Sequence, residues 1–88
     1  MATYTVTILP SALGQLAELP RHDQKKIKER IDQWAGDPRP PGVRKLKGES
    51  DLFRLRSGNY RIIYSIESVR LIVLVIRIGH RRDVYRGL

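Results

Sequence analysis

The sequence predicts an α+β fold: an N-terminal strand, a hairpin of two helices, then an antiparallel meander of three or four strands with the helices on one face. Three observations predict it. Apolar residues recur at helical spacing only before residue 36, β-branched residues alternate or run together only at the start and after residue 51, and turn residues separate the blocks.

Thr3 to Leu9 is rich in β-branched and aromatic residues and reads as the first strand. Pro10-Ser11 ends it, with Ser11 as the expected cap of a helix carrying Ala12, Leu13, Leu16, Ala17 and Leu19. Pro20 breaks that helix and opens a second, running to about Ala35. Ile27, Ile31 and Trp34 give the second helix one apolar stripe, and Lys25, Lys26, Lys28, Glu29 and Arg30 cover its other faces. Gly36 stops it, and Asp37 to Gly42 holds three prolines, so it can continue neither helix nor ladder. Val43 to Lys47 is a short strand or an extended arm, and Gly48 to Asp51 a turn. Leu52 to Ser57 is a strand with Phe53 and Leu55 on one face and Arg54 and Arg56 on the other. Gly58-Asn59 is a tight turn that pairs Tyr60 to Ile66 back as a hairpin. After a turn at Glu67-Ser68, Arg70 to Ile78 is nearly all β-branched, as expected of a central strand buried on both faces.

Eighty-eight residues suit one domain, residues 1–88, that buries roughly 60–65% of its unfolded surface. There is no cysteine for a disulfide or a thiolate metal site. The two histidines have no carboxylate cluster beside them, so no metal and no small-molecule cofactor is expected. No apolar run is long enough to span a bilayer, and the first residues lack the pattern of a signal peptide, so a cytoplasmic protein is expected. Charge is divided unevenly. Five basic and five acidic residues cancel within 1–38, whereas twelve basic against four acidic residues in 39–88 carry the whole net charge of +8. A basic, strand-rich half points to a polyanionic partner, most simply a nucleic-acid backbone.

Arg54, Arg56 and Arg61 fall on one sheet face by alternation. The plain alternative is solvated surface charge. It weakens for three cations on one face with no acidic residue among them, because like charges repel unless an anion joins them. His80, Arg81 and Tyr85 follow the last strand after Gly79. Tyr85 offers a surface for stacking a base, or packs on the sheet edge. Arg81 offers a permanently charged fork for phosphate. His80 has the only side chain here suited by its ordinary pKa to proton transfer near neutrality, or is simply exposed. His22, in the neutral half, reads as structural or exposed.

Three stretches together resemble the RelE toxins of prokaryotic type II toxin–antitoxin pairs, within the RelE/ParE superfamily. They are Arg44-Lys45-Leu46-Lys47-Gly48 leading into Leu52-Phe53-Arg54-Leu55-Arg56, then Gly58-Asn59-Tyr60-Arg61-Ile62-Ile63-Tyr64, and Gly79-His80-Arg81-Arg82-Asp83-Val84-Tyr85. The resemblance implies a metal-independent, ribosome-dependent endoribonuclease that cuts messenger RNA in the A site, the substrate's 2′-hydroxyl attacking the adjacent phosphate. It assigns Arg61 to the transition-state charge, Arg81 to the leaving group and Tyr85 to base stacking. Arg54, Arg56, Lys45, Lys47 and Arg82 become the surrounding phosphate-binding set. Arginine stays protonated, so Arg54 and Arg56 are poor bases, and His80 is the expected base for the 2′-hydroxyl unless orientation and charge stabilisation suffice. The implied partners are the ribosome with its message and a RelB-like antitoxin, whose acidic wrapping segment would suit the +8 surface. Two other readings stay open: a ParE-like poison of DNA gyrase, against which Val84-Tyr85 speaks, and a non-catalytic RNA- or ribosome-binding relative.

Overall fold

A computed structural model describes residues 3–46 and 51–86. Strand β1 (Thr5–Ile8) leads into α1 (Pro10–Ala17) and α2 (Arg21–Asp32), and α2 tightens into a 3-10 turn at Gln33–Ala35. Strands β2 (Val43–Lys45), β3 (Leu52–Ser57), β4 (Tyr60–Glu67) and β5 (Ile72–His80) follow. They form one five-stranded sheet in the order β1-β5-β4-β3-β2. β2 to β5 are antiparallel neighbours, and β1 closes the sheet by lying parallel to β5.

Several local expectations shift. The first helix starts at Pro10 with Leu9 as its cap residue and no side-chain cap, so Ser11 is not the cap. Proline fits the first helical position because its fixed φ is helical and its missing N–H would have had no partner there. Pro20 caps α2 rather than opening it, and its carbonyl accepts the Gln24 N–H at 3.0 Å. Of strand or arm, Val43–Lys45 is a strand: it pairs with Phe53 to Leu55, and the Leu46 N–H extends the ladder to the Leu52 carbonyl at 2.9 Å. Lys47 and Gly48 to Ser50 lie outside the described residues. At the β3–β4 turn Gly58 alone takes a positive φ, 59°, in line with a type II′ turn.

The last strand begins two residues later than the apolar run suggests. Leu71 sits in a left-handed turn at φ 56°, where its carbonyl accepts the Thr5 N–H at 2.8 Å. β5 is central in pairing, yet it is not buried on both faces. Val73, Val75 and Ile78 are buried, while Ile72, Leu74 and Ile76 are half-buried. The helices cover only one face, and a bulge opposite Ile63/Tyr64 leaves Ile76 unpaired.

The core lies between that covered face and the helix hairpin. Ala12 and Leu16 of α1, with Ile27 and Ile31 of α2, pack with Trp34 on Leu55, Ile62, Tyr64, Ile66, Val73, Val75 and Ile78. At its centre the Trp34 and Tyr64 rings stack with centroids 3.8 Å apart. The Tyr64 hydroxyl donates to the Pro38 carbonyl at 2.8 Å, which ties the proline-rich connector to the sheet.

Tyr64→Phe leaves that carbonyl without its donor and should cost about 1–2 kcal/mol in urea unfolding. Burial, the largest cause, pushes the Tyr64 phenol above its ordinary pKa. Its stabilising contribution is therefore complete below about pH 10, the unfolded value. It is lost as pH climbs from there through the folded-state value. Alkaline unfolding followed at several pH values should show this loss in the wild type, and Tyr64→Phe should remove that component.

Candidate functional site

The sheet face turned away from the helices carries the cations. Register places Arg56 directly opposite Arg61 and Arg54 opposite Ile63. It also places Arg44 of β2 directly opposite Arg54. Like charges in directly opposed positions repel, and two such pairs stand here side by side. Arg61 is half-buried, and its Nη1 donates to the carbonyls of Gly58 and Tyr60, each at 3.0 Å. Burial first, then the charges of Arg56, Arg54 and Arg81, lower the Arg61 pKa, with Tyr85 acting the other way. Arg61 is thus where these fields converge.

No carboxylate relieves this repulsion among the described residues. The ion pairs there are Arg70–Glu67 at 2.7 Å and Arg86–Asp83 at 3.6 Å, and neither involves the arginine row. A cavity of about 540 Å³ opens beside the row, lined by Arg30, Arg44, Arg54, Leu55, Arg56 and Arg61 together with the glycines of the two flanking turns.

The segment after β5 folds back to complete the site. The Arg81 N–H donates to Asn59 in the β3–β4 turn at 2.8 Å, and the Val84 N–H donates to the His80 carbonyl at 3.0 Å. Val84 is buried, which pins the segment to the sheet. Arg77 adds a clamp: its Nη1 donates to the Val84 carbonyl at 3.1 Å and also to the Arg86 carbonyl. Tyr85 is thereby brought over the arginine face, where its hydroxyl accepts a hydrogen bond from Arg54 Nη1 at 3.0 Å. Tyr85 keeps 37% of its surface exposed, so its ring is available for stacking.

Arg54, Arg56, Arg61, Arg81 and Tyr85 are therefore brought together, and other expected members are not. His80 stands across from Tyr60, with their rings edge to face at 5.9 Å. Tyr60 packs against the core, so His80 lies toward the helix side of the sheet. Its Nδ1 accepts the Arg82 N–H at 3.2 Å. His80 thus leaves the strand on the helix side and stands apart from the arginine row. Lys45 pairs with Phe53, whose ring faces the core, so it too points away from the row. Arg82 is exposed and Lys47 lies outside the described residues. His22 is exposed on α2. Among the described residues no group of three or more His, Cys, Asp or Glu is placed to hold a metal ion.

Sequence reasoning missed Arg30, Arg44 and Arg77 as members of this site. Arg77 had a signal, being the one charged residue inside the apolar run. Arg44 had one only once β2 was known to pair with β3. Arg30 had none, because a cation in the last turn of a helix is favourable in its own right. The assembled site can bind more than one phosphate and stack a base. Among the described residues its charged side chains are all cations.

Residues 6–85 match the family model described as ParE toxin of type II toxin–antitoxin system, parDE. The chain is 29% identical over 87 residues to a putative toxin RelE1 of Methanocaldococcus jannaschii, covering 96% of this chain and 97% of that protein. It is 29% identical over 84 residues to toxin RelG of Mycobacterium tuberculosis, covering 94% and 97%. The archaeal RelE–RelB complex from Pyrococcus horikoshii contains a chain of the same fold, at TM-score 0.81 and 30% identity, covering 93% of this chain and 99% of that one.

Two outcomes test the geometry. Arg56→Gln removes one member of an opposed like-charge pair and should raise stability by about 0.2–1 kcal/mol, most in dilute salt, where screening is weakest. Urea unfolding at two ionic strengths measures it. Arg77→Met removes the clamp, and hydrogen exchange at the Arg81 and Val84 amides should accelerate at least about tenfold, the equivalent of about 1.4 kcal/mol.

Proposed function

The chain belongs to the ParE toxin family of type II toxin–antitoxin systems and is RelE-like in sequence and fold, and from that premise we propose that it is a ribosome-dependent endoribonuclease. The observation that carries this reading is the row of arginines at Arg54, Arg56 and Arg61, which has no acidic partner among the described residues, with the Tyr85 ring beside it.

In the proposed reaction a messenger RNA strand lies across this face in the ribosomal A site. The 2′-hydroxyl attacks the adjacent phosphorus, its proton passing to solvent. The bond to the 5′-oxygen breaks, and that oxygen takes up a proton. The products are a 2′,3′-cyclic phosphate and a 5′-hydroxyl. Arg61 and Arg56 offset the charge that grows on the phosphoryl oxygens. Arg81 stands at the leaving oxygen, and Tyr85 stacks on a base and fixes the strand. Among the described residues no side chain of this face is placed as a base, so in this reading the chain supplies cations and orientation alone. That gap accounts for the need for the ribosome, which would hold the strand in line for attack. The relative from Pyrococcus horikoshii is a complex with RelB. We extend that partnership here: a RelB-like antitoxin with an acidic segment would neutralise the +8 surface.

A second reading, inhibition of DNA gyrase, is favoured by the description of the matching family model. It shares the fold but gives no role to a stacking ring beside the arginines.

Primer extension on a defined message in a purified translation system separates the two. Cuts should appear only when the message is translated. Arg61→Ala should slow them by about a hundredfold or more, and Arg81→Ala should also slow them. His80→Gln should leave the pH profile unchanged. Intact translated message, together with inhibited supercoiling by gyrase, would refute the ribonuclease reading.

A further inference from the structure

The cavity beside the arginine row extends beyond the residues that the proposed cleavage uses. Its outer wall is Arg44, exposed on β2, and half-buried Arg30, from the last turn of α2. The position of Arg30 at a helix C-terminus explains that residue by itself. It does not explain why Arg44 stands directly opposite Arg54, where each raises the cost of the other. Two strands of one hairpin thus carry a paired repulsion at their inner edge, Arg56 against Arg61, and a third strand repeats it at the outer edge. The larger hollow at the other end of these strands differs. It is lined by Arg39 and Lys45 but also by Asp51 and Glu67, so its cations already have anions near them. Among the described residues the hollow bordered by Arg44 and Arg30 has no acidic lining.

We propose that Arg44 and Arg30 form a second backbone-phosphate subsite, which takes a phosphate flanking the one held at Arg61 in a single-stranded nucleic acid. The proposal rests on the nucleic-acid reading of this face and adds the direction of the strand across it. β2 lies two strands from β4, about 10 Å at the backbone, so the strand runs across the ladders from β4 toward the sheet edge. The subsite reads charge only. It therefore fixes the register of the strand without choosing its sequence.

Fluorescence anisotropy with a labelled octanucleotide, as RNA and as DNA of the same sequence, tests this on the full chain over a salt series. Each phosphate contact on a single strand contributes about 0.7 to the slope of log affinity against log salt. Arg44→Ala should weaken binding and lower the slope by about 0.7, equally on RNA and DNA. Arg44→Lys should restore the slope. Arg30→Ala should act in the same direction, and the double variant should lose no more than one contact. An unchanged slope in Arg44→Ala beside a lowered slope in Arg61→Ala would overturn the subsite and keep the nucleic-acid reading. A double variant that loses two contacts would overturn a single shared subsite. A wild-type chain that binds neither strand would overturn both.

Discussion

Tyr64 is the residue through which the two sides of this protein are held in register. Its ring stacks on Trp34 at the end of the helix hairpin, and its hydroxyl holds the Pro38 carbonyl of the connector. It lies on β4, which is hydrogen-bonded to a neighbour on both edges. Alternation then decides the rest. With Tyr64, Ile62 and Tyr60 turned to the core, Arg61 and Ile63 must face the other way. A slip of one residue would bury Arg61 and expose Tyr64, so the energy of the aromatic stack also specifies the arginine face. Core and site are two readings of one strand.

The arrangement sets stability against function in a definite place. Opposed arginines at Arg56/Arg61 and Arg44/Arg54 are unfavourable in the free protein, and no carboxylate within the described residues offsets them. A sheet selected only for stability would place opposite charges or β-branched residues there. The residual repulsion is small beside the burial of Trp34, Tyr64 and the isoleucines around them, so the fold tolerates it. The same repulsion favours any polyanion that settles across the row. Binding energy is therefore stored as strain between charges on a rigid ladder, where no loop needs to reorganise to use it.

Much of this was legible in the sequence. The helix stripe Ile27, Ile31, Trp34 and the hairpin at Gly58-Asn59 follow from period and turn chemistry, and the hairpin turn alone fixes which arginines share a face. The parallel union of β1 with β5 was not legible, because pairing across so long a separation leaves no local pattern. The exposure of one side of β5 was misread for a related reason. A continuous apolar run marks a strand paired on both edges as readily as one covered on both faces. His80 shows the limit for the site itself. Residue type and ordinary pKa suggested a base, but the side of the strand on which it leaves and the Arg82 N–H that its Nδ1 accepts are matters of backbone geometry. Neither can be derived without the bulge at Ile76, which resets the alternation between the middle of β5 and its end.

The bulge also explains why an arginine is tolerated inside the apolar run. A regular strand would alternate Arg77 with its neighbours and leave its guanidinium to solvent or core. With Ile76 unpaired, Arg77 comes opposite Ile63, and its Nη1 reaches the carbonyls of the C-terminal segment. Those carbonyls belong to Val84 and Arg86, on either side of Tyr85. An arginine that binds both neighbours of a tyrosine controls where that ring goes, though it never touches it. The ring then meets Arg54, two strands away. One irregularity in β5 thus fixes, through the carbonyls on either side of it, the place of the Tyr85 ring at the arginine face. A segment of a few residues holds its place because its backbone acceptors are taken, and a simple end to the strand at Ile78 would have left the arginine row without its aromatic wall.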